Sequence, residues 1–123
     1  MKLTVLGASG TWPNPGTATS GYLIQEDGFN LWVDAGTGTL ANLQRHIDLK
    51  DIHGIVISHE HPDHFVDLYP CFYAWHYGEL GEPAHEFLTT GDPAQFRSVA
   101  HHFLGPALGG VEAVAVAAVE VGG

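Results

Sequence analysis

Short apolar runs, separated by turns rich in glycine, proline and acidic residues, open this chain. Leu3-Thr4-Val5-Leu6 predicts a first strand, Gly21-Tyr22-Leu23-Ile24-Gln25 a second, and Phe29 to Val33 a third. Glu26-Asp27-Gly28 between the last two has the composition of a hairpin turn, with Asp-Gly supplying positive φ. Leu40, Leu43 and Ile47 recur at i, i+3, i+7 and predict an amphipathic helix from about Thr39 to Ile47. Lys50-Asp51 form a polar link. Gly54 to Ser58 is a continuous apolar run, as expected of a central strand covered on both faces. Pro70 stands in the first turn of a further helix that carries Phe72, Tyr73, Trp75 and His76 and stops at Gly78. After the polar segment from Glu79 to Glu86, Phe87 to Thr90 reads as a brief strand. Asp92-Pro93 opens another helix, with Phe96, Val99, Ala100 and Phe103 on its buried face and Gly105-Pro106 as its stop. The Val- and Ala-rich stretch from Val111 to Val121 predicts a last strand. Strands early and helices interleaved predict an α+β domain, a mixed sheet with helices on one face.

One segment imitates a different fold. Gly7-Ala8-Ser9-Gly10 after the first strand looks like part of a dinucleotide fingerprint, which needs a helix to start at its last glycine. Trp12-Pro13-Asn14-Pro15-Gly16 follows instead, and two prolines at that spacing forbid the helix. Gly7 to Ser20 is therefore expected to be a shaped loop, able to line a pocket.

Composition narrows the classes. The 123 residues suffice for one domain with a core, and 45% hydrophobic with 15% charged residues is too apolar for disorder. Four basic residues against 14 acidic ones give a formal charge of −10, which makes nucleic acid a disfavoured partner. Cys71 is the single cysteine, which excludes an intrachain disulfide and a cysteine-built zinc site. It is expected to act as a small buried hydrophobe. No apolar stretch is long enough to span a bilayer, and Met1-Lys2-Leu3 leads straight into strand, so no signal peptide and a cytoplasmic location are expected.

The chemistry concentrates in His59-Glu60-His61-Pro62-Asp63-His64, directly after Ile55-Val56-Ile57. Positions i and i+2 of an extended segment point to the same side, so His59 and His61 can close on one ion. Pro62 lacks an N–H and is expected to end the strand pairing. The turn that follows can aim Asp63 and His64 at the same region. Imidazole nitrogen and carboxylate oxygen suit zinc, iron or manganese. A solvated histidine loop is the competing reading, but it does not explain so many ligand-type residues at the end of a buried strand. Asp34, before Ala35-Gly36-Thr37-Gly38, is either a turn or helix-cap residue or a support beneath the metal site. His46, His53, His76 and His85 are expected at the surface or in packing. His101 and His102 are neighbours on a helix, about 100° apart, and cannot pair as His-x-His does on a strand.

These residues resemble a known family. His59-x-His61-x-Asp63-His64 after an apolar strand is similar to the signature of the metallo-β-lactamase superfamily. Val5 to Gly10, Ser20 to Ile24 and Val33 to Gly38 agree with it in order and spacing. The proline-bearing glycine-rich loop before Ser20-Gly21-Tyr22-Leu23 looks most like the branch of ribonuclease Z and small phosphodiesterase-like relatives. The resemblance implies an αββα sandwich holding two zinc ions, with Mn2+ or Fe2+ as possible substitutes. His59 and His61 would bind the first metal, and Asp63 and His64 the second. Asp63 would also be catalytic, and Asp34 would support the site without being a ligand. It implies a zinc-dependent hydrolase of small phosphodiester substrates using a hydroxide activated by two zinc ions, with a lactone or other ester hydrolase as the alternative.

The same resemblance covers residues 1–123 only as the N-terminal half of the family's domain. The other half would supply another histidine for the first metal, a carboxylate bridging both metals and a last histidine. Three expectations follow: a piece of a longer protein lacking its C-terminal half (the favoured one), a half-domain that pairs with a second copy of the chain, or a non-catalytic module that binds metal weakly. On any of them the chain by itself can be inactive.

Overall fold

The computed structural model describes residues 1–58 and 61–78 and the backbone of two further strands at 86–89 and 115–118. Six strands form one sheet in the order of the chain: β1 (Lys2–Gly7), β2 (Gly21–Glu26), β3 (Phe29–Val33), β4 (Gly54–Ile57), β5 (Glu86–Thr89) and β6 (Ala115–Ala118). β1, β2 and β3 make an antiparallel meander, and β3 to β6 run parallel. The sheet is mixed and the class α+β, as expected.

Local chemistry accounts for the turns. Asp27 (φ 50°) and Gly28 (φ 81°) both take left-handed conformations, which makes the tight β2–β3 turn match the twist of its strands. Residues 8–20 form a loop without helix, as the prolines require. Parallel β3 and β4 are joined through α1 (Thr39–Leu43) and a 3-10 turn at Leu49–Asp51. α2 (Pro62–Phe65) and α3 (Leu68–Tyr77) follow β4, and Gly78 caps α3 at its C-terminus.

Register sorts the side chains into two faces. Leu23 pairs with Trp32 and Trp32 with Ile55, so the three share one face, and all are fully buried. Leu40 and Leu43 of α1 and Leu68, Cys71, Phe72 and Trp75 of α3 belong to the same core. Each such Leu or Ile contributes roughly 1.5–3 kcal/mol by leaving water. The Trp75 indole donates to the Leu49 carbonyl at 2.9 Å, fastening α3 to the 3-10 turn. Among the described residues Trp32 Nε1 is buried with no acceptor, a penalty of about 1–3 kcal/mol that the packing of the ring offsets. Val5, Tyr22, Val33 and Val56 line the opposite face.

Two expectations change in detail. The first helix ends at Leu43, because Arg45 and His46 bond three residues back (to Asn42 and Leu43) and tighten the chain. Val56 is only half-buried, so among the described residues β4 is covered on one face rather than two. Pro70 lies in the first turn of α3, as expected, in third position after Leu68 and Tyr69. The helix expected at Asp92-Pro93 lies outside the described residues.

Candidate metal centre

Two adjacent strand ends deliver the site. Where β3 stops, the Asp34 N–H still donates to Val56 O on β4 (2.8 Å), and Asp34 then turns left-handed at φ 59°. Aspartate is among the few residues other than glycine that tolerate this region. The turn points its carboxylate at the end of β4. Asp34 Oδ1 accepts from the Ser58 N–H (2.7 Å) and Oδ2 from the Ser58 hydroxyl (2.6 Å). Oδ2 also lies 3.2 Å from His64 Nδ1. Asp34 is therefore a buried support for a motif histidine and not a helix cap; the N-cap position of α1 is Gly38.

His61 is extended (φ −101°, ψ 148°), exposed, and leads into α2. Pro62 occupies the first turn of α2, where a missing N–H costs nothing. Its role is to start the helix, since the strand has already ended at Ile57. The turn puts Asp63 and His64 side by side, with His64 Nε2 3.3 Å from Asp63 Oδ2. Two bonds of about 2.0–2.1 Å to one tetrahedral zinc ion would hold their ligand atoms about 3.3–3.4 Å apart. The donor pair thus has both the chemistry and the spacing to share an ion. His59 and Glu60 lie outside the described residues, so the pairing of His59 with His61 does too. Among the described residues, no three ligand-type side chains converge on one point.

The Asp63–His64 turn is held from two sides. Thr19, at the end of the β1–β2 loop, donates its hydroxyl to Asp63 O (3.1 Å). The Ala35 N–H donates to His64 O (2.7 Å), and the Asp67 N–H returns a bond to Ala35 O (3.0 Å). Asp67 Oδ2 accepts the Leu40 N–H of α1 at 2.8 Å. Burial pushes the Asp67 carboxyl above the usual aspartate range, against the lowering influence of the Leu40 and Gly38 N–H groups. Sequence reasoning missed Thr19, Ser58 and Asp67; their only sequence signal is a polar residue beside an element end.

The other candidates fall as follows. Cys71 is fully buried and its thiol pKa is raised by desolvation and then by Asp67, so it is neither ligand nor nucleophile. His46 is exposed. His53 is more than a linker: its Nδ1 accepts the Asn30 N–H (2.9 Å) and its ring stacks on Phe29 at 5.4 Å. The His76 side chain, His85, His101 and His102 lie outside the described residues.

The motif at the end of one strand and the acidic turn on the neighbouring strand agree with the metallo-β-lactamase resemblance. Residues 14–121 match the model of the Metallo-beta-lactamase superfamily, and the chain belongs to that superfamily. It is 37% identical over 95 residues to YhfI of Bacillus subtilis, described as a probable metallo-hydrolase, covering 76% of this chain and 39% of YhfI. It is 30% identical over 79 residues to ribonuclease Z of Haloarcula marismortui, covering 64% of this chain and 25% of that protein. The crystal structure of YhfI superposes with a TM-score of 0.70 at 26% identity, covering 96% of this chain and 44% of YhfI. The human short-form tRNase Z shares the fold, with a TM-score of 0.69 at 23% identity over 83% of this chain and 40% of that one. The matched residues thus cover only 25–44% of these relatives' own length. Ribonucleases among them leave the expectation against nucleic acid without support, because net charge says nothing about a local binding surface. No helix among the described residues is long and apolar enough to cross a membrane.

Proposed function

We propose that this chain carries half of the active site of a zinc-dependent hydrolase of phosphodiester bonds, with His59, His61, Asp63 and His64 as metal ligands. One observation carries the reading. His64 has Asp34 at one ring nitrogen and Asp63 at the other, at 3.2 and 3.3 Å. A carboxylate behind a histidine, with a second ligand beside it, is how metal-binding imidazoles are oriented and made more basic. Relatives described as a metallo-hydrolase and as ribonuclease Z support the reaction class.

Divalent cations bound there would supply a lowered water pKa and stabilise charge on the attacked centre. The chain's own residues do the rest. Asp34 holds the His64 ring with Nε2 turned towards Asp63. Asp63 orients the attacking water through its carboxylate. Water adds to phosphorus, the bond to the leaving alcohol breaks, and the alcohol departs with a proton. A lactone or other ester hydrolase would use the same groups on a carbonyl centre. The remaining ligands belong to a C-terminal half or to a second copy of the chain.

Metal content and hydrolysis of bis(p-nitrophenyl) phosphate test this. Purified protein with a complete site should hold close to two zinc ions. His61→Ala and Asp63→Ala should each lower metal affinity and turnover by at least the about 10–100-fold typical of a lost supporting group. Folded protein that takes up no zinc, manganese or iron would sink the reading.

A further inference from the structure

Asp67 is not part of the metal motif, yet it ties the turn that carries Asp34 to the segment that carries Asp63 and His64. Its backbone N–H donates to Ala35 O (3.0 Å), while the Ala35 N–H donates to His64 O (2.7 Å). Its carboxylate reaches the other end of the same turn, accepting the Leu40 N–H at 2.8 Å and a bond from the Gly38 N–H. The segment from Asp34 to Leu40 is thereby pinned near one end to His64 of α2 and at the other to Asp67, the N-cap residue of α3. Asp34 lies at one end of it, beneath His64 Nδ1. The N-cap residue of α1 is Gly38, which has no side chain to cap it, so loss of the Asp67 acceptor would take their partner from those amides and free the turn to move away from His64.

We propose that Asp67 is a positioning residue for the metal centre: its carboxylate sets the Asp34–Gly38 turn so that Asp34 stays in contact with His64. This rests on the metal-site reading above. What it requires of Asp67 is an acceptor of fixed reach rather than a charge, so asparagine should replace it and alanine should not.

The test uses the chain with Asp67→Ala and Asp67→Asn, read in two ways. Cobalt(II) titration followed by absorption reports affinity and ligand geometry. NMR of the His64 ring nitrogens without metal reports the Asp34 contact. Asp67→Ala should weaken cobalt binding by about 10–100-fold and move the His64 ring signals. Asp67→Asn should stay close to wild type in both. Where the alanine variant does not fold, Asp67→Ser, whose hydroxyl falls short of the Leu40 N–H, should show the same losses. Unchanged His64 signals and affinity in the Ala or Ser variant overturn the proposal, as does an Asn variant impaired as much as Ala. Wild-type chain that binds no cobalt would count against the metal-site reading, while the ring signals would still judge the role of Asp67.

Discussion

Asp67 takes its carboxylate into surroundings that favour the uncharged acid. Desolvation raises its pKa above the ordinary aspartate value of 3.8, and the two amide donors only partly offset this. The folded chain therefore keeps a proton that the unfolded chain has released. Between pH 3.8 and the raised folded value, the folded state binds more protons, so stability falls as pH rises through this window. The contribution is fully present below the unfolded pKa and lost above the folded one. Asp67→Asn cannot titrate and should flatten that decline. Denaturation midpoints measured across the window check it; equal slopes in both proteins would mean that other carboxylates cause the decline. An acid that is strained by its charge yet keeps two amide donors is better explained by the geometry it imposes than by net stabilisation.

At the scale of elements, three segments meet at Gly36. A Cβ there would run into the Thr19 hydroxyl, Asp63 O and Ser20 O, so the end of the β1–β2 loop, the β3–α1 turn and α2 all close on a missing side chain. Gly36→Ala should destabilise the fold by roughly 1–3 kcal/mol, the usual range for overpacking, and break the bond from Thr19 to Asp63 O. A thermal melt together with metal titration checks both; a variant with wild-type melting and affinity would show that the contact yields freely. Much of this level was legible beforehand. Asp27-Gly28 named its turn because only a few residues accept two positive φ values in succession, and short apolar runs between turn residues placed β1 to β3. The apolar period predicts too long a first helix because Ile47 still packs against the core, while Arg45 and His46 already break the regular i−4 bonding before it. The motif residues stand out in the sequence as ligand-type residues, since so many donors in one short run have few other uses. Asp34 stayed ambiguous, because its partner Ser58 is 24 residues away and nothing local announces the contact. Asp67 offers no more than its place beside an element end, being one acid among 14.

Among the described residues, the sheet has a helix-covered face and an uncovered one. Leu3 and Val5 are 60% and 58% exposed, and Ile24, Leu31, Tyr22, Val33 and Val56 beside them are half-buried. The register sets Leu3 against Ile24 and Leu31, and Val5 against Tyr22, Val33 and Val56, so the seven make one continuous apolar surface. Soluble monomers rarely leave such a surface open, and a sheet needs a layer on each apolar face. The continuous run of β4 has the same origin: Val56 is apolar because the face it lines is built to be covered. On the proposed function, a second sheet from a C-terminal half or from another copy of this chain would be the cover and would also bring further metal ligands to the strand ends. The chain by itself should therefore self-associate, with a sedimentation mass above its 13.2 kDa. Val5→Lys with Val33→Lys should return it to monomer without disturbing the helix-covered core, because both side chains lie on the opposite face. A wild-type chain that sediments as a monomer and binds no hydrophobic dye would mean that this face needs no cover, and the two-layer arrangement would fall with it.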